Sequence, residues 1–334
     1  MPRVAVLLPA RDAAATLGAA AASILRQTHR DLALVAVDDG SRDATAEVLD
    51  RLAGRDRRVE VVRGPGEGIA RALARGLARC DAEVVVRMDA DDVAHPRRIE
   101  LQLAALSADP SLAAVGSRVR LFPRRAVAGG MRRYAAWLNG LVSPERVARD
   151  LLVESPLVHP AAALRRQPLE VAGGWRDGNF PEDYDLWLRL AEAGHRLSNV
   201  AAVLLDWRES AARLTRTDGR YALPRHMALK AAWLARGPLA GSRTVALWGA
   251  GETGRAFARA LSEEGIGVAL FLEVDRRKIG RRVGGTPVVS YEEAERVRGL
   301  PLLVAVGAPG ARQLIREELG RRGFEEVRDF RCVA

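Results

Sequence analysis

Cysteine is nearly absent from this chain: of 334 residues only Cys80 and Cys332 carry a thiol, and they lie far apart. Two such residues build neither a disulfide framework nor a cysteine metal cage, and their scarcity fits a reducing cytosol. Long apolar runs are lacking as well. No stretch reaches the roughly 18 uncharged apolar residues that cross a bilayer, and the opening MPRVAVLLPARD is too short for a secretory core. The expectation is a cytoplasmic protein without a transmembrane segment, at most peripherally associated with the inner face of the membrane. Lysine is almost missing too, with Lys230 and Lys278 the only two among 52 basic residues.

Blocks of like charge are the last absence. The formal charge is +10, from 52 basic and 42 acidic residues, but it is dispersed in pairs such as Arg124-Arg125 and Arg281-Arg282 among mixed-sign segments. Such dispersion argues against a nucleic-acid partner and leaves anionic lipid or phosphate-bearing substrates as the stronger attraction. Hydrophobic residues at 48% and charged residues at 28% give the ordinary globular balance, at a length suited to about two domains.

What is present is a rhythm. Val4 to Leu8, Leu32 to Val37, Val59 to Val62 and Val84 to Met88 are short Val-rich runs separated by Ala/Leu/Arg stretches of helical length. Runs of this kind predict strands buried on both faces, and strand-helix alternation predicts a mostly parallel α/β sheet. Ligands in such sheets sit beyond the carboxyl ends of the strands, where Asp38-Asp39-Gly40-Ser41 and Asp89-Ala90-Asp91-Asp92 follow directly. Residues 111 to 242 lose the rhythm, apart from helices expected at Tyr184 to Ala193 and near Ala228 to Ala235. We divide the chain into a first domain, 1–236, a Gly/Pro/Ser-rich linker, 237–242, and a second domain, 243–334.

Two carboxylates one residue apart on a turn, Asp89 and Asp91, direct oxygen ligands toward a hard divalent cation. The same acidic run also reads as a helix cap. Asp39 ends the second strand, and a carboxylate there suits the imide N–H of a uracil-type base. Arg71 lies after the third strand.

These residues sit in the segments VAVLLPARD, SILRQTHRDLALVAVDDGSRD, GIARALARGLARCDAEVVVRMDADD, SPLVHPAAALRR and GGWRDGNFPEDYDLWLRL. In this order, over about three-fifths of the chain, they resemble the family 2 glycosyltransferases of the GT-A nucleotide-sugar-binding fold. The resemblance implies a nucleotide-diphosphate-sugar donor, a UDP-sugar first among them, a divalent metal (Mn or Mg), inversion at the anomeric carbon, and work on cell-envelope polysaccharide. It implies that Pro9 and Asp12 form the first nucleotide loop, that Asp39 holds the base, and that Arg71 adds a nucleotide contact. Asp89 and Asp91 become the ribose and metal-diphosphate pair, Asp183 resembles the general base, and His159 lies beside the donor-acceptor site. Glu182 remains a competing base, and Pro181-Glu182-Asp183 also reads as an acidic helix start. Many relatives carry Tyr-Asn at Arg11-Asp12 and Asn at Ala72, and often a His near Asp206-Trp207-Arg208-Glu209-Ser210, so the third metal ligand stays unassigned; the contacts to sugar and acceptor fall in loops between residues 111 and 225, which leave both unassigned.

From Thr244 a second unit begins, in which Gly249, Gly251 and Gly254 form a G-x-G-x-x-G between a strand and a helix, with Glu273 19 residues beyond Gly254. The pattern resembles a small Rossmann-like nucleotide-binding domain: helix N–H groups for a pyrophosphate, an acidic residue for ribose. The glycines equally suit close helix packing. A different class of function is an inactive regulatory or scaffold protein that senses a dinucleotide through this unit. A third, sugar-phosphate nucleotidyltransferase, lacks its basic Gly-rich loop after Leu8.

Overall fold

The computed structural model describes residues 4–211 and 213–334. The chain resolves into two compact units, one of residues 1–148, 156–178 and 182–217, the other of residues 149–155, 179–181 and 218–334.

In the first unit the expected runs become β1 (Val4–Ala10), β2 (Leu32–Asp39), β3 (Val59–Gly64) and β4 (Val84–Arg87). β1, β2 and β4 are buried almost throughout, as Val-rich strands covered on both faces require. Pro9 does not stop β1. It lies inside the strand, opposite Val37 of β2, so the loop begins only at Arg11. The sheet continues through β5 (Val93–Ala94), β6 (Leu112–Phe122), β7 (Ala163–Arg165) and β8 (Arg196–Arg208), in the order β3-β2-β1-β4-β7-β6-β8-β5. β1 to β4 are parallel and β6 is parallel to β8, whereas β7 runs antiparallel to β4 and β6, and β5 antiparallel to β8. The core packs Val4, Val6 and Leu8 with Leu34, Ala36, Val84, Val86, Leu17 and Ile24.

β6 and β8 occupy the stretch where the sequence rhythm fails. Their pairing shifts register at three places, and each shift breaks the two-residue period that marks a strand. The helix expected at Tyr184 spans Glu182–Glu192, so the acidic pair belongs to its first turn.

The second unit holds β9 (Thr244–Trp248), β10 (Gly267–Glu273), β11 (Arg282–Val283), β12 (Thr286–Ser290), β13 (Leu302–Val304) and β14 (Phe330–Cys332). They form one sheet in the order β11-β12-β10-β9-β13-β14, parallel except for β11 against β12. The helix Leu223–Arg236 groups with this unit, so compactness divides the chain near residue 217 and not at the Gly/Pro/Ser-rich stretch 237–242. Buried Lys230 on that helix donates to the carbonyls of Val153 (2.8 Å) and Val333 (3.0 Å), and Arg316 binds both Asp150 (2.5 Å) and Glu326 (2.8 Å). Among the described residues no helix is long and apolar enough to cross a membrane.

Candidate active site

Because β2, β1 and β4 are parallel neighbours, their carboxyl ends bring Asp39, Asp12 and Asp89 to one edge of the sheet. Asp12, at a φ of 49°, ties the first two loops together: its N–H donates to Ser41 Oγ (3.0 Å) and its carboxylate accepts from the Arg42 N–H (2.7 Å). Asp39 organises the next loop. Its carboxylate accepts the backbone N–H groups of Gly66 (3.2 Å), Glu67 (3.0 Å) and Gly68 (2.8 Å). Two oxygens offer about four acceptor directions, so one remains for a ligand N–H. Arg71, half-exposed, is held by Asp177 (2.9 Å) and Glu67 (3.3 Å).

Beyond β4, Asp89, Asp91 and Asp92 each offer an oxygen within 4.8 Å of the others. Burial, and then the Asp89 charge, push the Asp91 carboxyl up to about 6; burial, and then the Asp89 and Asp91 charges, hold the buried Asp92 well above the usual carboxylate range. The neighbouring arginines offset this repulsion only in part. Asp92 Oδ1 accepts the Arg208 N–H (2.7 Å) while its Oδ2 is buried without a partner, and Arg208 Nε donates to the Asp91 carbonyl (2.6 Å). Arg87 Nη1 stands 2.6 Å from Asp89 Oδ1 but off the hydrogen-bond direction, an ion contact without an aligned bond. Three crowded carboxylates, one orphaned oxygen and hard donors fit a divalent cation.

The turn is linked to the start of the helix Glu182–Glu192. Buried His159 lies next to Arg87, and its Nδ1 is 3.6 Å from Glu182 Oε1. Its ring packs 5.8 Å from that of Trp175 and 6.2 Å from that of Trp187. Burial, then the Arg87 charge, hold it well below the usual imidazole range, so it is neutral. Glu182 is 2% exposed, whereas Asp183 is half-buried and accepts the Tyr184 N–H (2.8 Å). Of the two acidic residues Glu182 thus serves the packed interior, and Asp183 presents the more open carboxylate.

The sequence reading missed three members. Asp92 passed as a helix cap; Arg87 was signalled by a charge ending the buried run Val84-Val85-Val86; Arg208 reaches the turn through β8–β5 pairing, which leaves no local mark.

The family model for "Glycosyl transferase family 2" matches residues 5–173, half of the chain, and covers β1 through Asp89, Asp91 and His159. The chain belongs to glycosyl transferase family 2. A relative named as a glycosyltransferase, EpsE of Bacillus subtilis (strain 168), is 27% identical over 227 residues, covering 66% of this chain and 78% of its own. The family 2 chain also spans about a fifth of some much longer curated relatives. Among solved structures, the mannosyltransferase PcManGT of Pyrobaculum calidifontis, in complex with GDP-Man and Mn2+, matches with a TM-score of 0.55 at 22% identity, over 79% of this chain and 69% of that one. TarS 1-349 of S. aureus, in complex with UDP-GlcNAc, matches at 0.56 and 14% identity, over 78% and 71%. This family 2 enzyme shares their GT-A fold.

In the second unit the turn after β9 resolves the roles of its glycines. A Cβ on Gly254 would lie 1.8 Å from the Gly249 carbonyl oxygen, and one on Gly249 (φ 111°) 2.9 Å from that of Ala305, so both are needed for packing. Gly251 has only Lys278 Nζ, at 4.0 Å. Glu273 is not presented to solvent: it accepts from the N–H groups of Ala250, Val274 and Asp275 and pairs with Lys278 at 3.2 Å.

Proposed function

We propose that this protein moves a sugar from a nucleoside-diphosphate-sugar, a UDP-sugar first among candidates, to an acceptor hydroxyl in the cytoplasm, with inversion at the anomeric carbon. The carboxylate trio beyond β4 carries the reading: Asp91 and Asp89 would hold Mn or Mg, with the orphaned Asp92 oxygen behind them. Such a cation supplies positive charge to the departing diphosphate.

The rest falls to the chain. Asp12 and Asp39, through the loops they tie, shape the nucleoside pocket, and Arg71 closes it on one side. Asp183 takes the acceptor's proton as its oxygen bonds to the anomeric carbon and the bond to the diphosphate breaks, the electron pair leaving with the phosphate. Attack from the face opposite the leaving group inverts the carbon. His159, neutral and packed among Trp175 and Trp187, fixes Glu182 and with it the helix start. With UDP-, GDP- and TDP-sugars and Mn, slow hydrolysis should release free nucleoside diphosphate, and a chelator should stop it. No release with any donor would favour the inactive, nucleotide-sensing scaffold.

The second unit, on this reading, binds an anionic nucleotide at Gly249 to Gly254. Gly251, unexplained by packing, leaves room beside the Lys278 ammonium for a phosphate. Glu273 would reach ribose only by yielding part of its backbone bonds. Calorimetry of the full chain with NAD should show binding that Gly251→Val reduces at least about tenfold, with an unaltered melting temperature; equal binding by the variant would leave the glycines as packing elements.

A further inference from the structure

Residues 110 to 144 contain six arginines and neither Asp nor Glu. Two of the six are engaged by the fold: Arg118 donates to the Asn139 carbonyl (2.9 Å), and Arg120 pairs with Asp206 (2.6 Å). Arg124, Arg125, Arg132 and Arg133 are exposed and have no carboxylate partner among the described residues. The first two lie just after β6, the others on the helix Gly129–Leu138. Arg133 folds back over its own helix start, within 3.6 Å of where a Gly129 Cβ would stand. That turn has no acidic residue and no side-chain cap, so a cation is held at the positive end of a helix dipole, which disfavours it.

Aromatic rings stand on the same helix and on the strand beside it. Tyr134 and Trp137 stack at 5.8 Å, Tyr134 lies 6.4 Å from Trp207, and the Arg213 guanidinium stands 4.2 Å over the Trp207 ring. Trp207 precedes Arg208, which bonds to Asp91 and Asp92. The basic surface is therefore joined through adjacent residues of one strand to the carboxylate turn.

We propose that this surface holds the sugar acceptor, and that the acceptor carries a phosphate or diphosphate near the hydroxyl to be glycosylated. This rests on the transferase reading above. Clustered guanidiniums repel one another until an anion lies between them, and their planar forks match phosphate oxygens two at a time. Beyond the part packed against the core, the half-buried Tyr134 and Trp137 leave apolar ring surface for a sugar ring or an alkyl chain. A neutral glycan is bound through acceptors as well as donors, and this segment has no carboxylate to accept a sugar hydroxyl.

The test uses the full chain in chelator, so that the carboxylate turn repels anions, with inorganic pyrophosphate as probe. Saturable binding should weaken at least about tenfold in R124Q/R125Q/R132Q/R133Q and persist in a control that removes four other exposed arginines, R26Q/R51Q/R55Q/R57Q. Melting curves establish that both variants fold. Absence of saturable binding, or equal loss in the control, overturns the proposal by reducing it to net charge. Recruitment to phosphatidylglycerol vesicles without pyrophosphate binding also overturns it, in favour of a membrane-contact surface. Given pyrophosphate binding, recruitment to phosphatidylcholine vesicles doped with farnesyl diphosphate assigns a lipid-borne acceptor; without recruitment the acceptor is soluble. Nucleoside diphosphate release by the unaltered protein is scored separately. If it fails while pyrophosphate binding follows the four arginines, the transferase reading and the acceptor assignment fall together, and an anion site of other purpose remains.

Discussion

Asp91→Ala should abolish Mn-dependent donor binding and lower turnover by at least about 10²-fold while leaving the fold intact. The residue stands at the centre of three mutually repelling carboxylates, so removing it relieves repulsion in the metal-free protein. Its carboxyl is raised from 3.8 to about 6 on folding, burial first and Asp89 second. A raised carboxyl contributes stability that is full below about pH 4 and lost as pH climbs through about 6. In chelator, melting curves of the unaltered protein should therefore decline over that window relative to Asp91→Ala, which lacks the titration. A cation competes with the same proton, so metal-dependent turnover should fall as pH drops below about 6. Unchanged turnover in Asp91→Ala, or full activity in excess chelator, would refute the assignment.

The second large effect is expected at Asp183. Asp183→Asn preserves size and the bond from the Tyr184 N–H but accepts no proton, so kcat should fall by about 10² or more with donor affinity nearly constant. Glu182→Gln should behave differently. Its carboxylate is buried 3.6 Å from the His159 ring, which itself packs on Trp175 and Trp187, so the substitution should lower the melting temperature and reduce kcat only as far as the helix start shifts. Side-by-side kinetics and melting of the two variants separate base from support. A fully active but less stable Asp183→Asn would make the residue a helix cap, and a catalytic loss confined to Glu182→Gln would exchange the two roles.

Much of this site was legible because its determinants are local. Val-rich runs followed by Asp-rich turns name both the strands and their carboxyl ends, and the parallel order of β2, β1 and β4 brings the turns together. Pro9, expected in the first nucleotide loop, instead continues β1, because the end of an apolar run does not mark where the strand pairing ends. β6 and β8 escaped because their register shifts erase periodicity. Asp39 has a second task that no sequence pattern displays, since the N–H groups it receives lie 27 to 29 residues away. The Arg208 contact with Asp92 spans 116 residues and depends on β8 arriving beside β5. Gly251 shows a third limit: all three glycines of the motif look alike in sequence, and only the space around each separates packing from an open position.

The bonds of Lys230 and Arg316 impose an order on biosynthesis. Val153 must wait 77 residues for the ammonium that takes its carbonyl, and Asp150 waits 166 for its guanidinium. A nascent chain that has emerged only as far as residue 217 already exposes Asp150 and the apolar Leu151, Leu152 and Val153, all buried in the finished second unit. Such delayed closures are slow, and the waiting segment is open to chaperones and to aggregation. The same wait makes the second unit a poor candidate for excision: a fragment starting at 242 lacks Asp150 and Lys230, leaving Arg316 without one of its two partners and the Val333 carbonyl without its donor.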